Sequence, residues 1–435
     1  CRRCRSRCCR RINPAPSKGC LEAKHIVLGV SGGIAAYKSA ELIRQLRERG
    51  HRVTVVASEN ALRFIGVATL EALSGQPVIT SLWENAHHVP HVALGKSADL
   101  VVVAPATADL LARATHGIAD DPLTNILLTA QCPVLLAPAM HTEMWNHPAT
   151  ARNVHTLRER GLWILDPASG RLTGADSGQG RLPEPAFIAD VADDLLAHVP
   201  QRNMVGLRVV ISAGGTREEW DPVRFIGNRS SGLQGIALAR TALLRGAEVI
   251  LVAGNVDHPL PPVQEVITID SAAQLAAAMS GVVFNRADRP DIVVMAAAVA
   301  DFRPATESDA KISKVDGVPS LDLSQNEDIL ASLVRERASD EQPIIVGFAA
   351  ETVAADHGQR GSLQQLAEAK LARKGCNVIV ANDVSEGRIF GESTNSVVIV
   401  SHIGDPRVIE HAAKGEISQS VWNIALEELT RVTQG

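Results

Sequence analysis

Aromatic residues are scarce in this chain: one Tyr, five Trp and seven Phe among 435 residues, or 3%. So few flat side chains leave little for nucleic-acid bases to stack on, and a net charge of −5 offers no footprint for a polyanion. Nucleic acid is therefore not expected as a partner, whereas small anions, which need only local positive charge, stay open. Long apolar runs are missing as well. None approaches the roughly 20 residues of a membrane helix, and the N-terminal stretch lacks the apolar core of a signal peptide, so a cytoplasmic protein without membrane contact is expected. Cysteine is sparse beyond residue 20, where only Cys132 and Cys376 occur, and disulfides are no part of the design. Five cysteines crowd into the opening stretch (Cys1, Cys4, Cys8, Cys9, Cys20) with six arginines and no apolar pattern. A zinc knot would fit Cys1-x-x-Cys4 with Cys8-Cys9, but no histidine or second spaced pair completes a ligand set. Residues 1–22 read as a disordered tail, and the start at Cys1 rather than Met as a fragment or a misplaced start.

What the chain does have is an apolar content of 46% against 21% charged, which is the balance of a folded protein too long for one hydrophobic core. From His25 onward, short β-branched runs alternate with longer amphipathic ones. Strands are expected at His25–Val30, Arg52–Ala57, Leu100–Ala104, Val134–Ala137 and Leu162–Leu165, with helices over Ala35–Arg49 and Ala108–Arg113. Ser169–Pro185 is too rich in glycine for a core element and reads as a mobile flap. A helix near Ala189–His198 and a connector over Val199–Gly206 follow. A second series then has strands near Leu207–Ser212, Glu248–Ala253, Asp291–Ala296, Pro343–Gly347, Asn377–Val380 and Ser396–Val400, and a last helix around Ser418–Val432. The fold class is α/β, with two doubly wound, mostly parallel sheets in tandem over 23–198 and 207–435.

Each series opens on a strand, a glycine loop and a helix: Gly29-Val30-Ser31-Gly32-Gly33 before Ile34–Arg49, and Ser212-Ala213-Gly214-Gly215 with Asn228-Arg229-Ser230-Ser231-Gly232 before Leu233–Arg245. Backbone N–H groups at a helix start hold phosphate well, so two phosphate-using sites are expected. In the first, no acidic residue stands where an NAD ribose would need one. Arg52–Ala57 runs into Ser58, whose hydroxyl suits a phosphate or ribityl chain, which favours a mononucleotide such as FMN over NAD(P). Asp120-Asp121 has the spacing of a metal pair, but a turn or subunit contact is the favoured reading.

Further segments sharpen this. Gly32-Gly33-Ile34-Ala35-Ala36-Tyr37-Lys38, Pro90-His91-Val92, Ala104-Pro105-Ala106-Thr107-Ala108-Asp109 and Pro138-Ala139-Met140-His141-Thr142-Glu143-Met144-Trp145 occur in this order. Over about Lys24–Pro185 the chain resembles the flavin-dependent cysteine decarboxylases, specifically the phosphopantothenoylcysteine decarboxylase half of the bifunctional bacterial coenzyme A biosynthesis proteins. Loss of CO₂ from a saturated cysteine amide leaves a carbanion with no electron sink. Oxidation of the thiol carbon to a thioaldehyde supplies one, and the resemblance implies FMN as the oxidant that later returns the hydride. It further implies His91 as catalytic base, suited by an imidazole pKa near operating pH, and Ser31, Gly32, Gly33, Ser58, Thr107 and Ala139 around the flavin. Substrate contacts fall to His141 and Met144. Met144 and Trp145 are apolar enough to be plain core instead. Two departures stand out: His141 replaces the family's usual asparagine on the substrate carboxylate, and Thr173 occupies the flap region where a cysteine usually donates a proton.

The later segments are Asp221-Pro222-Val223-Arg224-Phe225-Ile226-Gly227-Asn228, Ala296-Ala297-Ala298-Val299-Ala300-Asp301, Lys311-Ile312-Ser313-Lys314, Asn326-Glu327-Asp328-Ile329 and Gly347-Phe348-Ala349-Ala350-Glu351. They resemble the phosphopantothenate–cysteine ligase half of the same proteins. That implies activation of 4′-phosphopantothenate by CTP to an acyl-cytidylate, capture by L-cysteine, and charge neutralisation by lysines and Mg²⁺. By motif position, Asn228 contacts the acyl-cytidylate or its activated carbonyl, Lys311 the phosphates, and Asp301, expected at the end of a buried strand, the nucleotide or Mg²⁺. Ala297 and Phe348 shape the base pocket, and Asn326 and Asp328 contact substrate. Lys370 and Lys374, four apart on one helix face, form either a triphosphate clamp or a solvated charge face. Arg224 binds the substrate phosphate or pairs with Asp221. Leu233 stands where the family often has lysine. Family members build dodecamers from trimers of the first half and dimers of the second, and a homo-oligomer is expected here. Alternatives are an active ligase with an impaired decarboxylase, a nicotinamide-dependent oxidoreductase, or a regulatory flavoprotein.

Overall fold

The structure is a computed structural model describing residues 23–83, 90–172, 176–313, 319–338, 341–352, 362–384 and 394–434. The N-terminal tail, Thr173 and Lys314 lie outside the described residues.

The first lobe runs β1 (His25–Val30), α1 (Ser39–Glu48), β2 (Arg52–Ala57), α2 (Val67–Ser74), α3 (Pro90–Ser97), β3 (Leu100–Ala106), α4 (Ala108–His116), α5 (Pro122–Thr129), β4 (Val134–Pro138), α6 (Thr142–Trp145), α7 (Pro148–Glu159), β5 (Trp163–Ile164), β6 (Ala168–Arg171), β7 (Ser177–Arg181) and α8 (Pro185–Ala197). Its parallel sheet has the order β2-β1-β3-β4-β5. Alternation along β1 sends Ile26, Leu28 and Val30 into one core with α1 and α8, and Val27 into another beneath α4 and α5. Each such side chain, when fully buried, contributes roughly 1.5–3 kcal/mol.

The expected helix over Ala35–Arg49 is split. Gly33 enters in an extended conformation without a side-chain cap, and Ile34–Lys38 winds as a tighter 3₁₀ turn before α1 begins. The glycine-rich segment is likewise more ordered than its composition suggests, because β6 and β7 pair as an antiparallel hairpin. Its glycines answer to close approach: a Cβ on Gly180 would lie 2.2 Å from the Met140 carbonyl oxygen, and one on Gly178 2.4 Å from Thr142 Oγ1. Asp121 caps α5 with a capping box, and Asp120 pairs with Arg113, so both carboxylates are committed to local partners.

The second lobe comprises β8 (Arg208–Gly214), β9 (Arg217–Asp221), β10 (Arg224–Gly227), α9 (Leu233–Leu244), β11 (Glu248–Gly254), β12 (Glu265–Ile269), α10 (Ala272–Phe284), β13 (Ile292–Met295), β14 (Phe302–Pro304), β15 (Leu323–Gln325), α11 (Ile329–Arg337), β16 (Ile344–Glu351), α12 (Leu363–Lys374), β17 (Val378–Asp383), β18 (Thr394–Ser401), β19 (Arg407–Ala413) and α13 (Lys414–Gln434). The large sheet has the order β12-β11-β8-β13-β16-β17-β18-β19, with the first six parallel and β18 and β19 antiparallel. Renumbered among themselves, the six parallel strands follow 3-2-1-4-5-6, the order of dinucleotide folds.

The lobes meet through charge. The connector 199–206 has no helix or strand, yet Met204 is fully buried in the second core. Arg240 of α9 donates to Asp194 Oδ2 at 2.6 Å and Asp190 Oδ2 at 3.0 Å on α8. Asp190 and Asp193 accept from Arg49 at 2.7 and 2.6 Å, and Asp193 meets the buried His51 ring at 2.9 Å. Burial works against the charge of Arg240, but Asp194, Asp190 and Asp193 outweigh it and raise its pKa above the ordinary value.

His25 opens β1 with its ring against Thr54 Oγ1 at 2.9 Å and the Ser97 carbonyl at 3.3 Å. Burial, reinforced by Arg52, lowers its pKa below the ordinary value of about 6.5. A lowered folded pKa favours the neutral ring, so this stabilisation is full above about pH 6.5 and is lost as pH falls through the folded value. Urea unfolding of wild type and His25→Gln should therefore diverge as pH drops, wild type losing up to about 1.4 kcal/mol more per pH unit. A wild type that gains on the variant under acid would contradict this.

Candidate active sites at two topological switch points

In open α/β sheets, ligands sit beyond the carboxyl ends of the strands where the strand order reverses. In the first lobe that point lies between β1 and β3. Ser31 is buried there and ties the two strand ends together: its Oγ donates to the Pro105 carbonyl at 2.7 Å and accepts from Thr107 N at 3.1 Å. Thr107 caps α4 by accepting from Leu110 N. Above them opens a cavity of about 710 Å³, within the roughly 300–1,000 Å³ of small-molecule and cofactor sites. Gly32, Gly33, Thr107, Ala139, His141 and Met144 all line it. Ser58 does not: its Oγ accepts from Ala61 N and closes the 3₁₀ turn after β2. His91 falls in the first turn of α3.

Sequence reasoning left Met144 open between core and site. Met144 is 47% exposed and lines the cavity, whereas Trp145 packs against the core. It missed the cations. Lys38, Arg171 and Arg181 border the cavity, and Glu184 joins Lys38 (3.0 Å) to Arg181 (3.3 Å). Apolar Ile34, Leu172 and Leu182 share the wall. This composition, with glycines that let the backbone come close, fits an apolar ring system carrying an anionic group.

The second switch point lies between β8 and β13. Gly214 ends β8 at φ +87°, and a Cβ there would lie 1.8 Å from the Gly254 carbonyl oxygen, so only glycine fits. Beyond the sheet the two strands stay stitched together: Ala297 N donates to Ser212 Oγ (3.1 Å), Ala298 N to the Gly214 carbonyl (2.8 Å), and Ala300 N to Thr216 Oγ1 (2.9 Å). These diverted donors end β13 at Met295. Asp301, expected at the end of a buried strand, therefore lies on an exposed bend six residues later.

Around this loop gather most of the second set. Asn228 donates Nδ2 to the Val299 carbonyl at 2.7 Å, and Asn326 donates Nδ2 to the Ala300 carbonyl at 2.8 Å. Phe348 packs half-buried on β16. Arg224 pairs with Asp221 at 2.7 Å, and Ile312 N donates to the same carboxylate at 3.2 Å, which leaves neighbouring Lys311 exposed at the rim. Lys370 meets Glu351 at 2.8 Å, and Lys374 pairs with Asp328, which also caps α11. Both ammonium groups thus already face carboxylates. Among the described residues no three His, Cys, Asp or Glu side chains gather to hold a metal. A cation at Asp301 would need ligand oxygens, as Mg²⁺ on nucleotide phosphates commonly does.

Residues 14–197 match the family described as Flavoprotein, and 204–429 the DNA/pantothenate metabolism flavoprotein C-terminal domain. The chain is 54% identical over 399 residues to the Coenzyme A biosynthesis bifunctional protein CoaBC of Mycobacterium tuberculosis, covering 90% of this chain and 93% of that one. It belongs to the bifunctional coenzyme A biosynthesis proteins. The CoaBC proteins of Bacillus subtilis (40% identity; 92% and 95% covered) and Escherichia coli (41%; 88% and 92%) are further relatives. As a member of the CoaBC family the chain is a bifunctional enzyme of coenzyme A biosynthesis, a flavoprotein joining decarboxylase and ligase activities. No helix among the described residues is long and apolar enough to cross a membrane.

Proposed function

We propose that residues 207–435 couple 4′-phosphopantothenate to L-cysteine at the expense of CTP, and that residues 23–198 decarboxylate the product to 4′-phosphopantetheine with FMN. The observation that supports this best is the coincidence of the residues singled out by the sequence with two separate strand-order reversals, one per lobe. FMN, when bound, supplies the two-electron oxidation that turns the thiol carbon into an electron sink and then restores the hydride.

In this reading Gly32, Gly33, Thr107 and Ala139 hold the flavin, with Ser31 tying the floor. His91 takes the proton, and His141 donates to the substrate carboxylate in place of an amide. In the ligase, Lys311 offsets the charge that builds when a carboxylate attacks a triphosphate, and Asp301 would help to hold a Mg²⁺ ion, which would supply further charge neutralisation. Asn228 orients the activated carbonyl, while Ala297 and Phe348 flank the base. Lys370 and Lys374 reach the triphosphate by exchanging Glu351 and Asp328 for phosphate oxygens. Exposed Ile34 and Tyr37 at the mouth of the first cavity favour cover by a neighbouring subunit, in keeping with a dodecamer.

Purified protein given 4′-phosphopantothenate, cysteine, CTP and Mg²⁺ should yield CMP and 4′-phosphopantetheine by mass spectrometry. Accumulation of phosphopantothenoylcysteine would confine the failure to the first lobe, and absence of CMP would refute the ligase reading.

A further inference from the structure

A second cleft, of about 120 Å³, lies between the lobes and away from both strand-order reversals. Its apolar walls include Trp163 and Phe187 from the first lobe and Leu243 and Pro262 from the second. A dry apolar cavity of roughly 150 Å³ takes benzene; this cleft is smaller, so it takes a flat ring only with the polar end projecting out of the apolar walls.

Its charges do not balance. Arg158 is matched, donating to Asp166 Oδ1 at 2.8 Å and to the Ile164 carbonyl at 3.0 Å. Arg240, at another wall, is matched by Asp190 and Asp194. Arg202, on the connector, is half-buried in the same cleft, yet among the described residues it has no hydrogen-bond partner and no carboxylate within ion-pair distance. Burial and the neighbouring Arg158 lower its pKa, and Asp166 offsets them only in part. A half-buried guanidinium without a protein partner is free to accept one, and its planar fork matches a carboxylate in two parallel hydrogen bonds.

We infer that this interlobe cleft binds a small organic acid, its carboxylate on Arg202 and its apolar body between Trp163, Phe187 and Leu243. The walls come from both lobes, so occupancy strengthens their junction. This goes beyond the two activities and depends on neither.

The probe is 4-fluorobenzoate, followed by ¹⁹F NMR on the full-length protein. Wild type should bind it saturably, with a rise in melting temperature. Arg202→Gln should weaken binding by about tenfold or more, as expected for loss of a charged hydrogen bond, while Arg44→Gln on the exposed face of α1 should not. Neutral 4-fluorobenzamide and inorganic phosphate, lacking the charge and the apolar body respectively, should each bind far more weakly to wild type. That comparison needs no variant and holds even if Arg202→Gln folds poorly. Equal binding of benzoate and benzamide, undiminished binding in a folded Arg202→Gln, preference for phosphate, or no saturation would each overturn the inference.

Discussion

Replacing Lys311 with glutamine is expected to slow CMP release by about 10²–10³, the usual cost of removing one donor aimed at developing charge. Decarboxylation of supplied phosphopantothenoylcysteine should stay unchanged. Lys311 stands exposed in a segment without regular structure, so something else must aim it. That anchor is Asp221, whose carboxylate is inaccessible to solvent and accepts from Val223 N and Arg224 N at 2.8 Å each, from Ile312 N at 3.2 Å and from the Arg224 guanidinium. Burial alone would push this carboxyl up. The backbone donors of Val223, Ile312 and Arg224, with the Arg224 charge, prevail and hold it below the usual carboxylate range. Asp221 is therefore a positioning residue. Asp221→Asn should lower kcat of ligation with little change in KM for cysteine, because the amide cannot accept every hydrogen bond that the carboxylate does. A Lys311→Gln enzyme retaining wild-type kcat would remove Lys311 from the ligase mechanism.

Gly32→Val should weaken flavin binding, and the purified variant should lose much of its yellow colour. A Cβ at Gly32 would lie 2.3 Å from Asn60 Cβ and 2.9 Å from the Asn60 backbone carbon, so the loop after β2 must move away from the cavity mouth. Overpacking of this kind costs about 1–3 kcal/mol, which corresponds to about 5- to 150-fold in cofactor affinity. CTP-dependent ligation should continue in the same preparation. Stoichiometric flavin in a folded Gly32→Val protein would mean that the glycine loop does not shape the flavin site.

The β-branched runs at His25–Val30, Arg52–Ala57 and Glu248–Ala253 were legible because strands covered on both faces admit little but apolar residues. The same pattern was absent where one face is wet. The β9–β10 hairpin carries Arg217, Glu218, Glu219 and Arg224, and edge strand β19 is mostly exposed, so neither has a continuous apolar signature. At the sites, Asn228, Ala297 and Asn326, far apart in the sequence, lie beside one loop. Which charges oppose one another was not legible. Glu351 and Asp328 reach Lys370 and Lys374 across 19 and 46 residues of chain, and no helix-face rule anticipates such partners. The exposed bend at Asp301 escaped notice for a similar reason: it arises where backbone donors leave the sheet for Ser212 and Thr216, side chains on another strand and its loop.

The charges shared between α8 and α9 bear on how freely the halves of such a protein exchange during evolution. Grafting a second lobe without an arginine at position 240 would leave Asp194 facing a neutral neighbour and Asp190 with Arg49 alone. Asp194 would then be a buried carboxylate without its cation, a defect of about 3–5 kcal/mol. Exchange is therefore gated at the connector, where Pro200 and Met204 are buried and Asn203 accepts from Arg245 Nε at 3.0 Å, and equally by one guanidinium and the acids it answers. Chimeras that keep Arg240 with Asp190 and Asp194 should assemble, and those that mismatch them should come apart into separate lobes.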